Sequence, residues 1–159
     1  MNTKKQEVIW HCQSFESLSP FRLYDFLRLR SDVFVVEQKC VFLDLDDNDQ
    51  YCLHVMGYLN NALAAYSRLV PPGTIYEEAS IGRVVTLKNE RRTGIGKILM
   101  NESIQILYLK WSIQPIKIGA QLYLKSFYES YGFEQVSEVL IEDGIPHIYM
   151  IRSVGSYIP

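Results

Sequence analysis

Residues 79–97 constrain this chain more than any other stretch. Residues 79–87 (Ala-Ser-Ile-Gly-Arg-Val-Val-Thr-Leu) read as a long strand. They run through a polar segment into Arg91-Arg92-Thr93-Gly94-Ile95-Gly96-Lys97, where a helical pattern begins at once. A helix start carries unpaired N–H groups and a partial positive charge. Glycines let a ligand approach the backbone, and three cations stand alongside. The combination is an anion cradle suited to a pyrophosphate. Two common cradles do not fit. A P-loop needs Gly where Arg91 stands and Ser or Thr where Ile98 stands, and a dinucleotide fingerprint needs a third Gly at Leu99. A surface turn with a capping glycine is the competing reading of this segment taken alone.

The remaining pattern places the cradle in a mixed sheet. Residues 8–12 read as a strand. Ser19-Pro20 opens a helix whose apolar face runs through Leu23, Phe26, Leu27, Arg30, Val33 and Phe34, loosening at the β-branched residues 33–36. Strands over 52–59 and 62–70 flank an Asn60-Asn61 hairpin turn. A helix over 95–111 buries Ile98, Leu99, Ile104, Ile106 and Leu107. A short strand over 115–119 leads to a helix over 123–131 that ends at Gly132. Strands over 133–141 and 148–152 close the chain. The fold class is α/β, an α+β mixed sheet with helices on its faces, in one domain over 1–159.

Composition narrows the function. With 16 Lys+Arg against 18 Asp+Glu, the formal charge is -2, which argues against a dedicated nucleic-acid binder. No apolar run approaches the roughly 20 residues of a bilayer span, and no signal-peptide core follows the N-terminus. Cys12, Cys40 and Cys52 are an odd set with no C-x-x-C pair, so reduced thiols in a cytoplasmic protein are expected. Cys40, Cys52 and His54 match no zinc spacing. Asp44-x-Asp46-x-Asn48 lacks the Gly and Glu of a calcium loop. No metal is expected. The 44–49 run reads instead as a solvated acidic loop that attracts a cationic amine.

A second motif, Tyr128-Glu129-Ser130-Tyr131-Gly132-Phe133, follows Gln121 at the end of a strand. With Arg91-x-x-Gly94-x-Gly96, it makes the chain resemble the GNAT superfamily of acyl-CoA N-acyltransferases. A narrower resemblance, to the ElaA-like branch, rests on four further segments. These are 29–38 (Leu-Arg-x-x-Val-Phe-Val-Val-Glu-Gln), the acidic loop, Ile81-Gly82-Arg83-Val84, and 142–147 (Glu-Asp-Gly-Ile-Pro-His). It spans roughly Trp10 to Arg152.

The resemblance implies a mostly antiparallel N-terminal half and a splayed central parallel strand pair. It implies acetyl-CoA as co-substrate, held by the edge of Val84, Val85 and Thr86, by Arg91, Arg92, Thr93, Gly94, Ile95, Gly96 and Lys97, and by Gln121 and Tyr128. It also implies direct attack by an amine of a small molecule or peptide, with Tyr128 protonating the departing thiolate, a phenol near pKa 10 being well matched to that step. A packed core tyrosine is the ordinary reading of any single Tyr among the 11. Candidates to take the amine proton are Glu37 and His147, with Glu142, Asp143 and His54 beside them. The expected partners are acetyl-CoA and an amine acceptor, with no nucleic acid and no membrane, and with a homodimer possible through the C-terminal strands. Two alternatives use the same fold. One is a non-catalytic acyl-CoA-binding sensor or interaction module. The other is acyl-homoserine-lactone-type synthesis, suggested by the resemblance of Arg30-x-x-Val33-Phe34 to those related enzymes.

Overall fold

The computed structural model describes residues 7–156. Strand β1 (Ile9–Ser14) leads to helix α1 (Pro20–Arg30), whose first turn is capped by Ser19 Oγ accepting the Arg22 N–H at 3.2 Å. Where β-branched side chains crowd the helical ladder, α1 widens into a π-helical segment, Ser31–Glu37. Strands β2 (Leu53–Leu59) and β3 (Ala62–Val70) meet at Asn60-Asn61, whose φ values of 51° and 63° suit a type I′ hairpin turn. With β4 (Ser80–Thr86) they form an antiparallel sheet in the order β1-β2-β3-β4.

The C-terminal half is a second antiparallel sheet built around its last strand. It follows α2 (Ile95–Trp111) and contains β5 (Ile116–Gln121), α3 (Lys125–Glu129), β6 (Phe133–Gln135), β7 (Leu140–Glu142) and β8 (Ile145–Arg152). β8 pairs with β5, β6 and β7. The single strand expected over 133–141 is therefore two. The chain leaves the ladder between them, where Val136 N–H still donates to Tyr149 O at 2.9 Å.

The sheets touch at one parallel bridge, Ala79 to Ile116, where Lys117 N–H donates to Ala79 O at 2.9 Å. Beyond it β4 and β5 run side by side without pairing, which is the splayed parallel pair. Neighbours Val55 and Met56 belong to different apolar clusters, so the first sheet lies between α2 and α1. Leu99, Met100, Ile104 and Leu107 carry the α2 side; Ile98, expected there, is exposed. Phe26, Leu29 and Val33 carry the α1 side.

The acidic loop is solvated only in part, with Asp47 exposed. Asp44 and Asp49 are buried, and the loop threads between three arginines. Arg30, wholly buried, donates from Nε to Asp44 Oδ2 and from Nη1 to Asp49 Oδ1, both at 2.8 Å. Arg68 donates from Nη1 to Asp49 Oδ1 at 2.9 Å and grips Asp46 with both terminal nitrogens, at 2.6 and 2.7 Å. Arg83 donates from Nε to Asp44 Oδ1 at 2.7 Å. A buried charge needs such a partner, and these carboxylates are committed to arginines rather than to a ligand. Burial alone would raise the Asp46 and Asp49 carboxyls, but the hydrogen bonds and charges of the arginines outweigh it and hold both below the usual carboxylate range.

His54 completes this centre. Its ring stacks on Phe26 at 4.7 Å. The Asp49 carbonyl, 3.0 Å from Nε2, can only accept, so Nε2 bears the proton and Nδ1 accepts from the Tyr66 hydroxyl at 2.8 Å. Burial pushes His54 down to about 4.

A histidine lowered on folding leaves the native state binding fewer protons than the unfolded chain between its folded value and about 6.5. Its contribution is thus whole above pH 6.5 and lost as pH falls toward 4, amounting to about 3 kcal/mol. The carboxylates act in a lower window, below about pH 4. His54→Gln should flatten the pH dependence of unfolding free energy between pH 6.5 and 4, read by urea unfolding. An unchanged slope would contradict the assignment.

Candidate active site

The unpaired stretch between β4 and β5 opens a cleft of about 1030 Å³. Its β4 wall is bent. β3 pairs Tyr66 with Val85 but Arg68 with Gly82, so β4 carries one extra residue there, a bulge. Arg83 lies within it at φ 51°, a left-handed conformation that costs a non-glycine residue about 1 kcal/mol. The Asp44 carboxylate and carbonyl, at 2.7 and 2.9 Å, hold its guanidinium and so hold the bend. On the side away from β3, the edge Val84–Val85–Thr86 faces the cleft without a strand partner.

Beyond β4 the chain turns through the cradle. Gly94, at φ 93°, precedes α2 without a side-chain cap. Lys97 and Ile98 N–H both donate to Gly94 O, at 3.0 and 3.2 Å, whereas no backbone acceptor among the described residues meets Ile95 or Gly96. A Cβ built on Gly94 meets nothing within 4 Å, and one on Gly96 meets only Thr86 Cγ2 at 3.8 Å, so both would project into open space. Free amides, two bare glycines and the cations Arg92 and Lys97 fit a pyrophosphate. Ile95 departs from expectation in its side chain, which is buried in the α2 core rather than lining the cleft. Every other residue expected to hold the cofactor lines the cleft.

Tyr128 lines the opposite wall and is only 7% exposed. Phe127 and Phe133 meet its ring edge-on, at 5.2 and 6.0 Å. Burial, with the Tyr123 hydroxyl adding to it, raises its phenol well above 10. Burial thus keeps the phenol protonated in the free protein. The adjoining Tyr131 hydroxyl donates to Lys97 O at 3.1 Å, tying the turn after α3 to the cradle helix.

The proton-acceptor candidates separate. His54 is sealed in the Arg–Asp centre, away from the cleft. Glu37, Glu142, Asp143 and His147 all line it. Glu37 is engaged by Arg91 through two bonds, at 2.6 and 3.2 Å, and this contact holds its carboxyl below the usual range. Glu142 accepts the Tyr149 hydroxyl at 2.9 Å. His147 Nδ1 lies 2.8 Å from the Ile145 carbonyl, which can only accept. Nδ1 therefore bears the proton, and Nε2 keeps its lone pair. No group of His, Cys, Asp and Glu set to hold a metal occurs among the described residues.

The acetyltransferase (GNAT) domain model matches residues 47–154. The chain belongs to the GNAT family. Within that family it is similar to Protein ElaA of Escherichia coli (strain K12), at 40% identity over 149 residues covering 92% of this chain and 97% of that one. The crystal structure of E. coli ElaA superposes with a TM-score of 0.84 at 37% identity, covering 91% of this chain and 99% of that one. An acyl-CoA N-acyltransferase from Pseudomonas aeruginosa superposes with a TM-score of 0.88 at 38% identity, covering 92% and 100%. The chain is thus an ElaA-like GNAT protein, and acyl transfer from an acyl-CoA is the activity of its family.

Two contacts around this GNAT cleft were not foreseen from the sequence. Gln38 and Gln121 exchange amide hydrogen bonds at 3.2 and 3.1 Å across it, and Cys40 Sγ donates to Asp143 O at 3.3 Å. Arg30 on an apolar helix face and Arg68 within an apolar strand were the visible signs of the buried centre behind β4.

Because the left-handed position favours glycine, Arg83→Gly should retain about 1 kcal/mol more stability than Arg83→Ala. Both variants lose the Asp44 pair equally, so comparative urea unfolding isolates the backbone term. Equal stability would show that the bulge carries no strain.

Proposed function

We propose that this chain is an N-acetyltransferase that moves the acetyl group of acetyl-CoA to an amine of a small molecule or peptide. The observation that carries the reading is the convergence, on one cleft, of the Arg91–Lys97 cradle, the unpaired β4 edge, protonated Tyr128 and His147 Nε2. Bound acetyl-CoA supplies an activated thioester carbon.

The chain's own residues do the rest. The cradle amides with Arg92 and Lys97 hold the pyrophosphate. The β4 edge offers backbone hydrogen bonds to the pantetheine arm, and an N–H of that edge polarises the thioester carbonyl. His147 Nε2 accepts the proton that the attacking amine must lose as the C–N bond forms. Tyr128 Oη supplies a proton to sulfur as the C–S bond breaks. Its raised value keeps that proton in place across the working range, and negative charge developing on sulfur draws it off. His147 is preferred to Glu37 because its Nε2 meets no hydrogen-bond partner among the described residues, whereas both Glu37 oxygens are engaged.

Acetyl-CoA should raise the melting temperature, and an amine-panel assay for free CoA thiol should find turnover. His147→Gln and Tyr128→Phe should each lower kcat by about 100-fold with little change in CoA affinity. Wild-type activity should show no alkaline loss from Tyr128 below pH 10. Stabilisation without CoA release across the panel would leave a binding module. No stabilisation at millimolar acetyl-CoA would contradict the proposal.

A further inference from the structure

The end of the first helix bridges the mouth of the cleft at two successive residues. Glu37 closes the π-helical segment and holds Nη1 and Nη2 of Arg91, on the cradle, at 2.6 and 3.2 Å. Gln38 pairs with Gln121, at the end of β5, through two amide hydrogen bonds. The Gln38 N–H donates to Val33 O at 3.1 Å, so the step is anchored in the helix rather than in a loose loop. Among the described residues, Arg92 and Lys97 make no ion pair; of the three cradle cations only Arg91 is neutralised, and by a carboxylate arriving from a different element.

A carboxylate bound through two oxygens to one guanidinium has the same recognition chemistry as one phosphate of a diphosphate. Resting on the acyl-CoA reading above, we infer that Glu37 is a built-in competitor for the pyrophosphate seat and sets the affinity and selectivity for the donor. A donor bearing a diphosphate gains Arg91 as a third cation, beside Arg92 and Lys97, only by drawing it from Glu37. A donor without one, such as a pantetheine thioester, gains nothing from displacing it. Glu37 is thus a specificity-determining residue and not the proton acceptor. The pair is about one-third exposed on each side, at 36% and 33%, which places the exchange within reach of a ligand.

The test measures CoA binding by calorimetry on the full chain, with pantetheine as the diphosphate-free probe. Glu37→Gln should tighten CoA about 5-fold at low salt, the scale of an exposed ion pair, and the gain should shrink as ionic strength rises. It should leave pantetheine affinity unchanged. Arg91→Gln should weaken CoA binding, and the double variant should behave like Arg91→Gln alone, since the gain needs a freed Arg91. Weaker or unchanged CoA binding by Glu37→Gln would overturn the inference while leaving the acyl-CoA reading intact. So would a gain that persists without Arg91, or a large loss of kcat with unaltered CoA affinity, which would mark Glu37 as the base. Absence of CoA binding by the wild-type chain would overturn both.

Discussion

Three arginines from three elements converge on one short acidic loop. Arg30 comes from α1, Arg68 from β3 and Arg83 from the bulge of β4; Asp44 and Asp49 are each shared by two of them. Removing charges from water is expensive, and such a centre adds little net stability over a well-packed apolar one. What it adds is geometry. Asp44 fixes how far Arg83 bends away from the regular ladder, and that bend turns the β4 edge toward the cleft. His54 and Tyr66 seal the same centre from α1's side, so a helix, two strands and a loop are set against each other by directional contacts rather than by apolar area alone.

From that bend the division of labour follows. The sheets are joined at their N-terminal ends by one bridge, so they must part at the C-terminal ends, where loops can carry chemistry. The positive side gathers at the start of α2, where helix geometry already leaves amides free. The groups proposed to handle protons, His147 and Tyr128, lie on β8 and α3. Neither charge nor burial is uniform across the cleft: Tyr128 is buried enough to retain its proton, whereas Arg92 and Lys97 have no acidic partner among the described residues. Glu37 lies between the two sides and is committed to Arg91.

Much of this was legible in the sequence where a local rule governs the residue. Ser19-Pro20, Asn60-Asn61 and Gly94 announce a cap, a turn and a left-handed helix entry, because each conformation is open to few residue types. The family motifs carry residues that line the cleft. The acidic loop was not legible. Asp44 and Asp49 look like solvent-facing residues until the partners Arg30, Arg68 and Arg83, all distant in sequence, are brought to them. The two-strand break at 136–139 likewise depends on Tyr149 across the sheet, and the raised Tyr128 value depends on packing that no offset from Gly132 encodes. Local chemistry shows in the order of residues; burial of charge is a property of the assembled layers.

In the proposed function, the free edge of β4 and the start of α2 together hold one acyl-CoA. Amide hydrogen exchange, compared between the free chain and the chain saturated with CoA, tests it most directly. New protection is expected at residues 84–86 and at Ile95 and Gly96, with β1 and β2 unchanged. Protection confined to other strands, or saturation with no change at these amides, would contradict it.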